Sequence, residues 1–256
     1  MSNILITGGN SSFAEQFSNS LYSKDLNFIY IDLVKPKYLK NLEKAEFFKI
    51  DLTKTKSLEK LIKKIINKYK KIDYVVTYAS FRSKKINLRN ENLNSWNKTI
   101  STNLTSNFFL LKNIILDCIK NKNECRIVNV SSISSLLISN ESPSYQITKA
   151  SINHMTRYLA TYAGKYKIFV NSILPGMIIK DEFKEKFNSK KNFNYRKIIK
   201  KTHAVKDFGS VEDVNKMIKF LLFENNNFIN GQCFIIDGGV SIQDQFATAV
   251  REFLND

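Results

Sequence analysis

Cysteine, histidine, proline and glycine are all scarce in this sequence. The three cysteines, Cys118, Cys125 and Cys233, form no Cys-x-x-Cys pair, and so sparse and odd a set excludes a disulfide framework. Only two histidines accompany them, so the usual ligands of a zinc site are lacking and no metal is expected. Three prolines and eight glycines form no linker that would divide the chain, which predicts one domain over residues 1–256.

Long apolar runs are also absent. The run 108–111 is cut by Lys112, far short of the roughly 20 residues that a membrane-spanning helix needs. The chain begins Met1-Ser2-Asn3 and continues directly into Ile4-Leu5-Ile6, without the basic and apolar regions of a signal peptide. A cytoplasmic protein without membrane contact is therefore expected.

Basic residues are in large excess, with 40 Lys and Arg against 23 Asp and Glu and a net charge of +17. Such an excess is found in proteins that bind nucleic acid or other polyanions. Here the basic residues are spread over almost every segment, and Lys, Asn and Ile are abundant throughout, as in proteins from AT-rich genomes. Most of the charge is therefore interpreted as coding bias, and no nucleic-acid partner is expected.

Short apolar runs alternate with longer amphipathic ones along the chain. Strands are predicted at 4–7, 27–32, 46–50, 72–78, 125–130, 168–174 and 232–237. Helices are predicted at 12–23, 57–69, 92–120, 144–164 and 211–223. This alternation predicts the α/β class: a doubly wound, Rossmann-like domain with a mainly parallel seven-stranded sheet and helices on both faces.

The first predicted strand ends in the turn Thr7-Gly8-Gly9-Asn10-Ser11-Ser12-Phe13-Ala14. A glycine turn at this point presents a helix N-terminus to a pyrophosphate, so the candidate cofactor contacts are Gly8, Asn10, Ser11, Ser12 and Phe13. The alternative is an ordinary tight turn with Ser12 capping the helix. Asp32 ends the second strand, where a carboxylate accepts hydrogen bonds from ribose hydroxyls and repels a 2′-phosphate, which favours NAD(H) over NADP(H).

Further motifs follow in a characteristic order. They are Asp51-Leu52-Thr53, Thr102-Asn103-Leu104, Val128-Asn129-Val130-Ser131-Ser132, Tyr145-Gln146-Ile147-Thr148-Lys149, Asn171-Ser172-Ile173-Leu174-Pro175-Gly176 and Asp237-Gly238-Gly239. With them, the sequence from Ile4 to Gly239 resembles the short-chain dehydrogenase/reductase family. A Y-x-x-x-K pair alone arises by chance on many helices, but Ser132 thirteen residues before Tyr145 makes the match specific.

The resemblance implies an oxidoreductase that interconverts a secondary alcohol and a ketone. The implied catalytic residues are Asn103, Ser132, Tyr145 and Lys149. Implied cofactor contacts, besides those of the first turn and Asp32, are Asp51, Leu52, Ala79, Ser80, Tyr145, Lys149, Pro175, Gly176 and Ile178. The resemblance also implies a homodimer or homotetramer, packed through the helices at 92–120 and 144–164.

The chemistry of the motif agrees with this interpretation. A free tyrosine has a pKa of about 10 and is a poor base at neutral pH. Lys149 lies four residues after Tyr145 on the same helix face, and its ammonium group favours the phenolate and lowers the tyrosine pKa. Ser132 can hydrogen-bond the substrate oxygen. The resemblance implies that Asn103 anchors a water that links Lys149 to solvent.

Two departures from the family pattern keep an alternative open. Ser12 and Ala14 stand where the family has its second and third glycines, and Tyr78 and Ser80 replace an asparagine and a glycine of its N-N-A-G motif. The alternative is a non-catalytic, nucleotide-binding regulatory protein of the same fold. A serine hydrolase is rejected because Gly-x-Ser-x-Gly is absent.

Residues 180–206 resemble the family's substrate lid and contain ten basic and three acidic residues. One hypothesis is an anionic small-molecule substrate or carrier; a solvated lid with the chain's general lysine bias is an equal alternative. Arg82, just after Ser80, is a second candidate anion contact. A sugar or sugar-nucleotide dehydrogenase is preferred to a 3-oxoacyl-carrier-protein reductase, because such reductases usually prefer NADP(H), which Asp32 disfavours.

Overall fold

The computed structural model describes residues 1–21, 25–83 and 87–254. The strands in these ranges are β1 (Ser2–Thr7), β2 (Leu26–Asp32), β3 (Ala45–Lys49), β4 (Tyr74–Thr77), β5 (Cys125–Val130), β6 (Ile168–Pro175), β7 (Ile178–Ile179), β8 (Gly209–Ser210) and β9 (Cys233–Ile236). Seven of them form one sheet in the order β3-β2-β1-β4-β5-β6-β9, and every neighbouring pair is parallel. The predicted seven-stranded parallel sheet is confirmed.

Helices cover both faces of this sheet. The α-helices in the described ranges are α1 (Ser12–Asn19), α2 (Thr55–Tyr69), α3 (Leu93–Ile100), α4 (Ser106–Asn121), α5 (Pro143–Ala163), α6 (Lys184–Asn188), α7 (Phe193–Thr202), α8 (Val211–Phe223) and α9 (Gln245–Ala249). Alternate strand residues point to opposite faces, so Leu5 and Val75 pack with α2, α4 and α5, whereas Ile4 and Val76 pack with α1 and α8. Two apolar cores therefore fix the strand ends at which the candidate site lies.

Most predicted elements differ from the structure by one or two residues at an end, and three differences bear on the site. The helix predicted at 92–120 is interrupted by a π-helical turn, Ser101–Thr105, whose extra residue per turn a 3.6-residue period does not reveal. The helix predicted at 12–23 ends at Asn19, and residues 22 and 23 of that prediction lie outside the described residues. Strand β4 is shorter than predicted, although the Tyr78 amide still donates to the Thr7 carbonyl at 3.0 Å.

The segment predicted as a lid is joined to the rest of the domain by two short paired strands, β7 and β8, which we call the neck. Strands β7 and β8 pair in parallel at the two ends of the segment. Between them, α6 and α7 bury Phe187 and Ile199 against Ile179 in a small separate core. Among the described residues, no helix has the length and apolar character needed to cross a membrane.

Candidate active site

The turn after β1 lies directly against the end of β4. Gly8 has a φ of +71°, and a Cβ atom there would lie 2.4 Å from the Ala79 nitrogen. Only glycine fits both this left-handed backbone and this close approach. The cap of α1 is Ser11, whose Oγ accepts from the Ala14 amide at 3.3 Å, so the alternative in which Ser12 caps the helix is wrong.

A cleft of about 400 Å³ opens at the carboxyl ends of the central strands. Eight predicted cofactor contacts line it: Gly8, Asn10, Ser11, Asp32, Asp51, Leu52, Ala79 and Ser80. Its wall also includes residues that were not predicted as cofactor contacts, namely Leu33, Ile50, Thr53, Tyr78, Phe81, Lys98 and Thr102. The position agrees with the rule that ligands of open α/β sheets bind at strand carboxyl ends, where the strand order reverses.

The Asp32 carboxylate is fixed at the rim of this cleft by backbone groups. Its Oδ2 accepts from the Asn10 amide at 2.9 Å, and its Oδ1 accepts from the Leu33 amide at 2.5 Å. Because Asn10 belongs to the glycine turn, the bond from its amide joins the turn to the end of β2. The negative charge therefore has a defined position beside the turn.

Other predicted cofactor contacts lie outside the wall of the cleft. The Ser12 hydroxyl oxygen is buried and has no hydrogen-bond partner among the described residues. The Phe13 ring packs against Tyr78, with its centroid 5.8 Å from the Lys180 Nζ of the lid segment. Pro175 and Gly176 end β6, and Ile178 begins the neck. Phe13, Pro175, Gly176 and Ile178 therefore lie on the side of the site toward β6 and the segment 180–206.

Tyr78, one of the departures from the family pattern, has a structural role of its own. Burial raises the pKa of its phenol well above the ordinary value. The hydroxyl donates to Asn215 Oδ1 at 2.8 Å, and Asn215 Nδ2 donates to the Phe13 carbonyl at 3.0 Å. Tyr78 thus links β4 to α8 and α1. The sequence offered one sign of this contact: Asn215 is a polar residue among the apolar residues that α8 buries.

Asn103 lies in the π-helical turn and holds the loop that follows β4. Its Oδ1 accepts from the Phe81 amide at 2.6 Å, and its Nδ2 donates to the Phe81 carbonyl at 2.9 Å. Nδ2 also lies 3.2 Å from the Thr148 hydroxyl on α5. One amide side chain therefore fixes the backbone of the loop relative to the helix that carries Tyr145.

Tyr145 and Lys149 occupy the same face of α5, as predicted, and both are almost completely buried, at 4% and 2% exposure. The Lys149 Nζ donates to the Val130 carbonyl at 2.8 Å and lies 5.5 Å from the centroid of the Tyr145 ring. Ser132, which follows β5, accepts from the Ser134 amide at 3.1 Å. Asn103, Ser132, Tyr145 and Lys149 thus converge beside the ends of β4 and β5.

The electrostatics of this group favour an ionisable phenol. Burial raises the pKa of Tyr145, but Lys149, Arg82 and Ser132 together lower it more, and the net pKa is below the ordinary value. Burial lowers the pKa of Lys149, and the adjacent phenol counteracts that effect. The arrangement can therefore exchange a proton at the Tyr145 oxygen more readily than a free tyrosine can.

Arg82 contributes a contact that the sequence did not predict. Its Nη2 donates to the Tyr145 hydroxyl at 3.0 Å, and its Nη1 lies 3.1 Å from Glu141 Oε1. The guanidinium carbon lies 4.6 Å from the centroid of the tyrosine ring. Asn103 fixes the backbone of Phe81, the residue before Arg82, and so sets the position from which Arg82 reaches Tyr145. This contact depends on residues that are distant in sequence, so no local pattern could have revealed it.

Comparison with known proteins identifies the fold and the class of chemistry. The model of a family described as Enoyl-(Acyl carrier protein) reductase matches residues 8–241. The chain belongs to the short-chain dehydrogenase/reductase family. As a member of this family it is an oxidoreductase that acts on CH–OH groups and binds a nucleotide cofactor of the type the family uses. The resemblance stated from the motifs is confirmed.

Individual relatives of this dehydrogenase differ in substrate and cofactor. The 3-oxoacyl-[acyl-carrier-protein] reductase FabG of Buchnera aphidicola subsp. Schizaphis graminum is 30% identical over 245 residues, which cover 92% of this chain and 96% of the relative. A structure titled ElxO with NADP bound is 28% identical, with a TM-score of 0.85 and coverage of 94% and 99%. 4-Hydroxyisoleucine dehydrogenase complexed with NADH shares the fold at 24% identity, with a TM-score of 0.87 and coverage of 95% and 100%.

Proposed function

We propose that this protein interconverts a secondary alcohol and a ketone with NAD(H), and that Tyr145 is its general acid and base. The observation that carries the proposal is the buried Tyr145 phenol between two cations, with a lowered pKa. In alcohol oxidation the phenolate accepts the hydroxyl proton; in ketone reduction the phenol donates a proton to the carbonyl oxygen.

The neighbouring side chains have supporting roles. Lys149, buried and held on the Val130 carbonyl, stabilises the phenolate. Ser132 lies close enough to Tyr145 to lower its pKa by hydrogen bonding, so its hydroxyl can bind the same substrate oxygen. Asn103 fixes the Phe81 loop and, by resemblance, anchors the water that links Lys149 to solvent.

The cleft fits a dinucleotide. The glycine turn packs closely on the end of β4 at Gly8 and leads into the N-terminus of α1, and Gly8, Asp32 and Asp51 line the same cleft. Asn10 and Ser11 would approach the phosphates, and Lys149 and Tyr145 would lie toward the nicotinamide end with Pro175, Gly176 and Ile178. The bound cofactor supplies the hydride acceptor or donor.

NAD(H) is the proposed cofactor because of the charge at the cleft rim. The fixed Asp32 carboxylate would accept hydrogen bonds from the ribose hydroxyls and repel the 2′-phosphate of NADP(H). The positive charge of Lys35, three residues further along the chain, offsets part of the repulsion between Asp32 and a 2′-phosphate.

A 3-oxoacyl-carrier-protein reductase is the second candidate. Two observations favour it: the identity with the Buchnera reductase and the excess of basic residues in the segment 180–206. The proposed NAD(H) preference favours other substrates.

Assembly into a homodimer or homotetramer is also proposed, supported by Tyr158 and Tyr162, apolar rings that α5 leaves 59% and 49% exposed.

A substrate panel tests the proposed function. Secondary alcohols, sugars and hydroxy acids are incubated with NAD+ or NADP+, and the corresponding ketones with NADH or NADPH, while dinucleotide absorbance is followed. We expect turnover with one chemical class and faster turnover with NAD(H). Tight NADH binding without turnover of any compound would contradict the proposal and favour the non-catalytic alternative.

A further inference from the structure

Arg82 places a second cation on the candidate general acid and base. Lys149 approaches the Tyr145 phenol from the protein interior and is 2% exposed. The Arg82 side chain is far more accessible: it remains 53% exposed to solvent while it donates to the phenol oxygen at 3.0 Å. The guanidinium is therefore accessible to a ligand, whereas the buried ammonium group of Lys149 is not.

The contacts of Arg82 use only part of its hydrogen-bonding capacity. A guanidinium has five N–H donors, and the described residues provide two acceptors, the Tyr145 oxygen and Glu141 Oε1. The remaining donors therefore have no partner among those residues. Glu141 is itself 29% exposed, so its ion pair is partly in solvent and is weak enough to exchange for another anion.

The distance from Arg82 to the reacting atoms restricts what a substrate can present to it. The substrate oxygen must hydrogen-bond the Tyr145 hydroxyl, and Nη2 already lies 3.0 Å from that oxygen. A substrate group that reaches the guanidinium is therefore attached close to the reacting carbon. A planar guanidinium binds carboxylate in bidentate fashion, which gives charge-assisted hydrogen bonds and a defined orientation.

We propose that Arg82 binds a substrate carboxylate one or two bonds from the reacting carbon, so that the substrate is a small hydroxy acid or the corresponding keto acid. This inference rests on the proposed function and specifies its substrate class. The redox balance is that of the proposed function: one hydride from the reduced dinucleotide and one proton from Tyr145 convert the keto acid into the hydroxy acid.

The surroundings agree with an anionic ligand. Lys180, at the start of the lid segment, carries its ammonium group 5.8 Å from the Phe13 ring, and the segment 180–206 carries a large excess of positive charge. A segment with such an excess of positive charge raises the local concentration of anionic substrates. Arg82 then provides the specific contact that a diffuse positive field lacks.

The test compares acids with their own esters. Pyruvate and methyl pyruvate, and acetoacetate and methyl acetoacetate, are reduced with NADH by the wild type, Arg82→Met and Glu141→Gln. Arg82→Met also removes a cation from Tyr145 and therefore slows all four compounds. The ratio of kcat/KM for acid to ester cancels that shared effect and isolates recognition of the carboxylate.

We expect the wild type to prefer one acid over its ester, and Arg82→Met to reduce that ratio by roughly 10- to 150-fold, the effect of losing hydrogen bonds to a charged group. Glu141→Gln, the matched control, keeps the guanidinium and removes a competing anion, so KM for the acid falls and the ester is unaffected. An unchanged ratio in Arg82→Met would overturn the inference.

Binding of unreactive analogues separates this inference from the proposed function. Calorimetry of the NADH-saturated protein should detect oxamate more strongly than ethyl oxamate, with the difference lost in Arg82→Met. Equal binding of the two analogues by the wild type would refute carboxylate recognition, whatever the turnover. Turnover of uncharged ketones alone would refute it while leaving the proposed function intact; failure of every compound in the substrate panel would refute the proposed function itself.

Discussion

Replacing Lys149 by methionine tests whether the buried cation controls the Tyr145 phenol. Methionine preserves the length and apolar stem of the side chain but removes the charge. Lys149 favours the phenolate, so its loss raises the pKa of Tyr145 above the lowered value that it has in this site. Alcohol oxidation requires the phenolate, and its rising pH limb should therefore move to higher pH.

The structure sets the size of the effect. The Lys149 Nζ lies 5.5 Å from the Tyr145 ring centroid. Coulomb's law at this separation, with an effective dielectric constant of about 20, gives about 3 kcal/mol, which corresponds to about 150-fold in a phenolate-dependent rate. The less ionised phenol is also the stronger base, which offsets part of the loss. We expect oxidation at neutral pH to slow by roughly 10- to 150-fold.

The assay is the pH dependence of kcat for alcohol oxidation at saturating NAD+, with dinucleotide affinity measured separately by fluorescence. Lys120→Met is the matched control, because it removes one exposed lysine charge from α4, away from the tyrosine. If Lys149→Met kept the wild-type rate and pH limb at full NAD+ saturation, the proposed control of the phenol by Lys149 would be refuted.

Two further substitutions test the cofactor cleft. Gly8→Ala combines a left-handed φ, which costs about 1–2 kcal/mol, with a close contact to β4 that costs about 1–3 kcal/mol. Urea denaturation should show a loss of roughly 2–5 kcal/mol in the free energy of unfolding. In the control Gly9→Ala the new Cβ atom meets the side chain of Tyr30, which can move, so less stability should be lost. Equal losses in the two variants would contradict this explanation of Gly8. Asp32→Asn should lower the kcat/KM preference for NAD(H) over NADP(H) by roughly 10-fold or more, since a charge repulsion is removed; an unchanged preference would show that Asp32 does not select the cofactor.

The sheet was predictable because its strands carry near-continuous apolar runs at regular intervals. Cys125–Val130 was predicted to the residue, and the other strands of the sheet to within three residues at each end. Buried parallel strands need apolar residues on both faces, which leaves an unmistakable pattern. The turn at Gly8 was predictable for a different reason, since only glycine tolerates that backbone against Ala79.

Features that depend on contacts between distant elements were not predictable. The π-helical turn around Asn103 interrupts a sequence with continuous helical periodicity, and its location follows from the contacts of Asn103 with Phe81 and Thr148. The approach of Arg82 to Tyr145 depends in turn on that loop path. The roles of these side chains remain predictions, although the family and fold are established.

Tyr145→Phe, measured for both NADH binding and turnover, is the most direct test of the central claim. The substitution removes only the phenolic oxygen of a buried ring, so NADH fluorescence titration should give an affinity within a few-fold of the wild type. Turnover should fall by roughly 10³-fold, the usual contribution of a general acid and base. Tyr166→Phe, at an exposed tyrosine just after the same helix, should change neither quantity. Wild-type turnover in Tyr145→Phe would contradict the account.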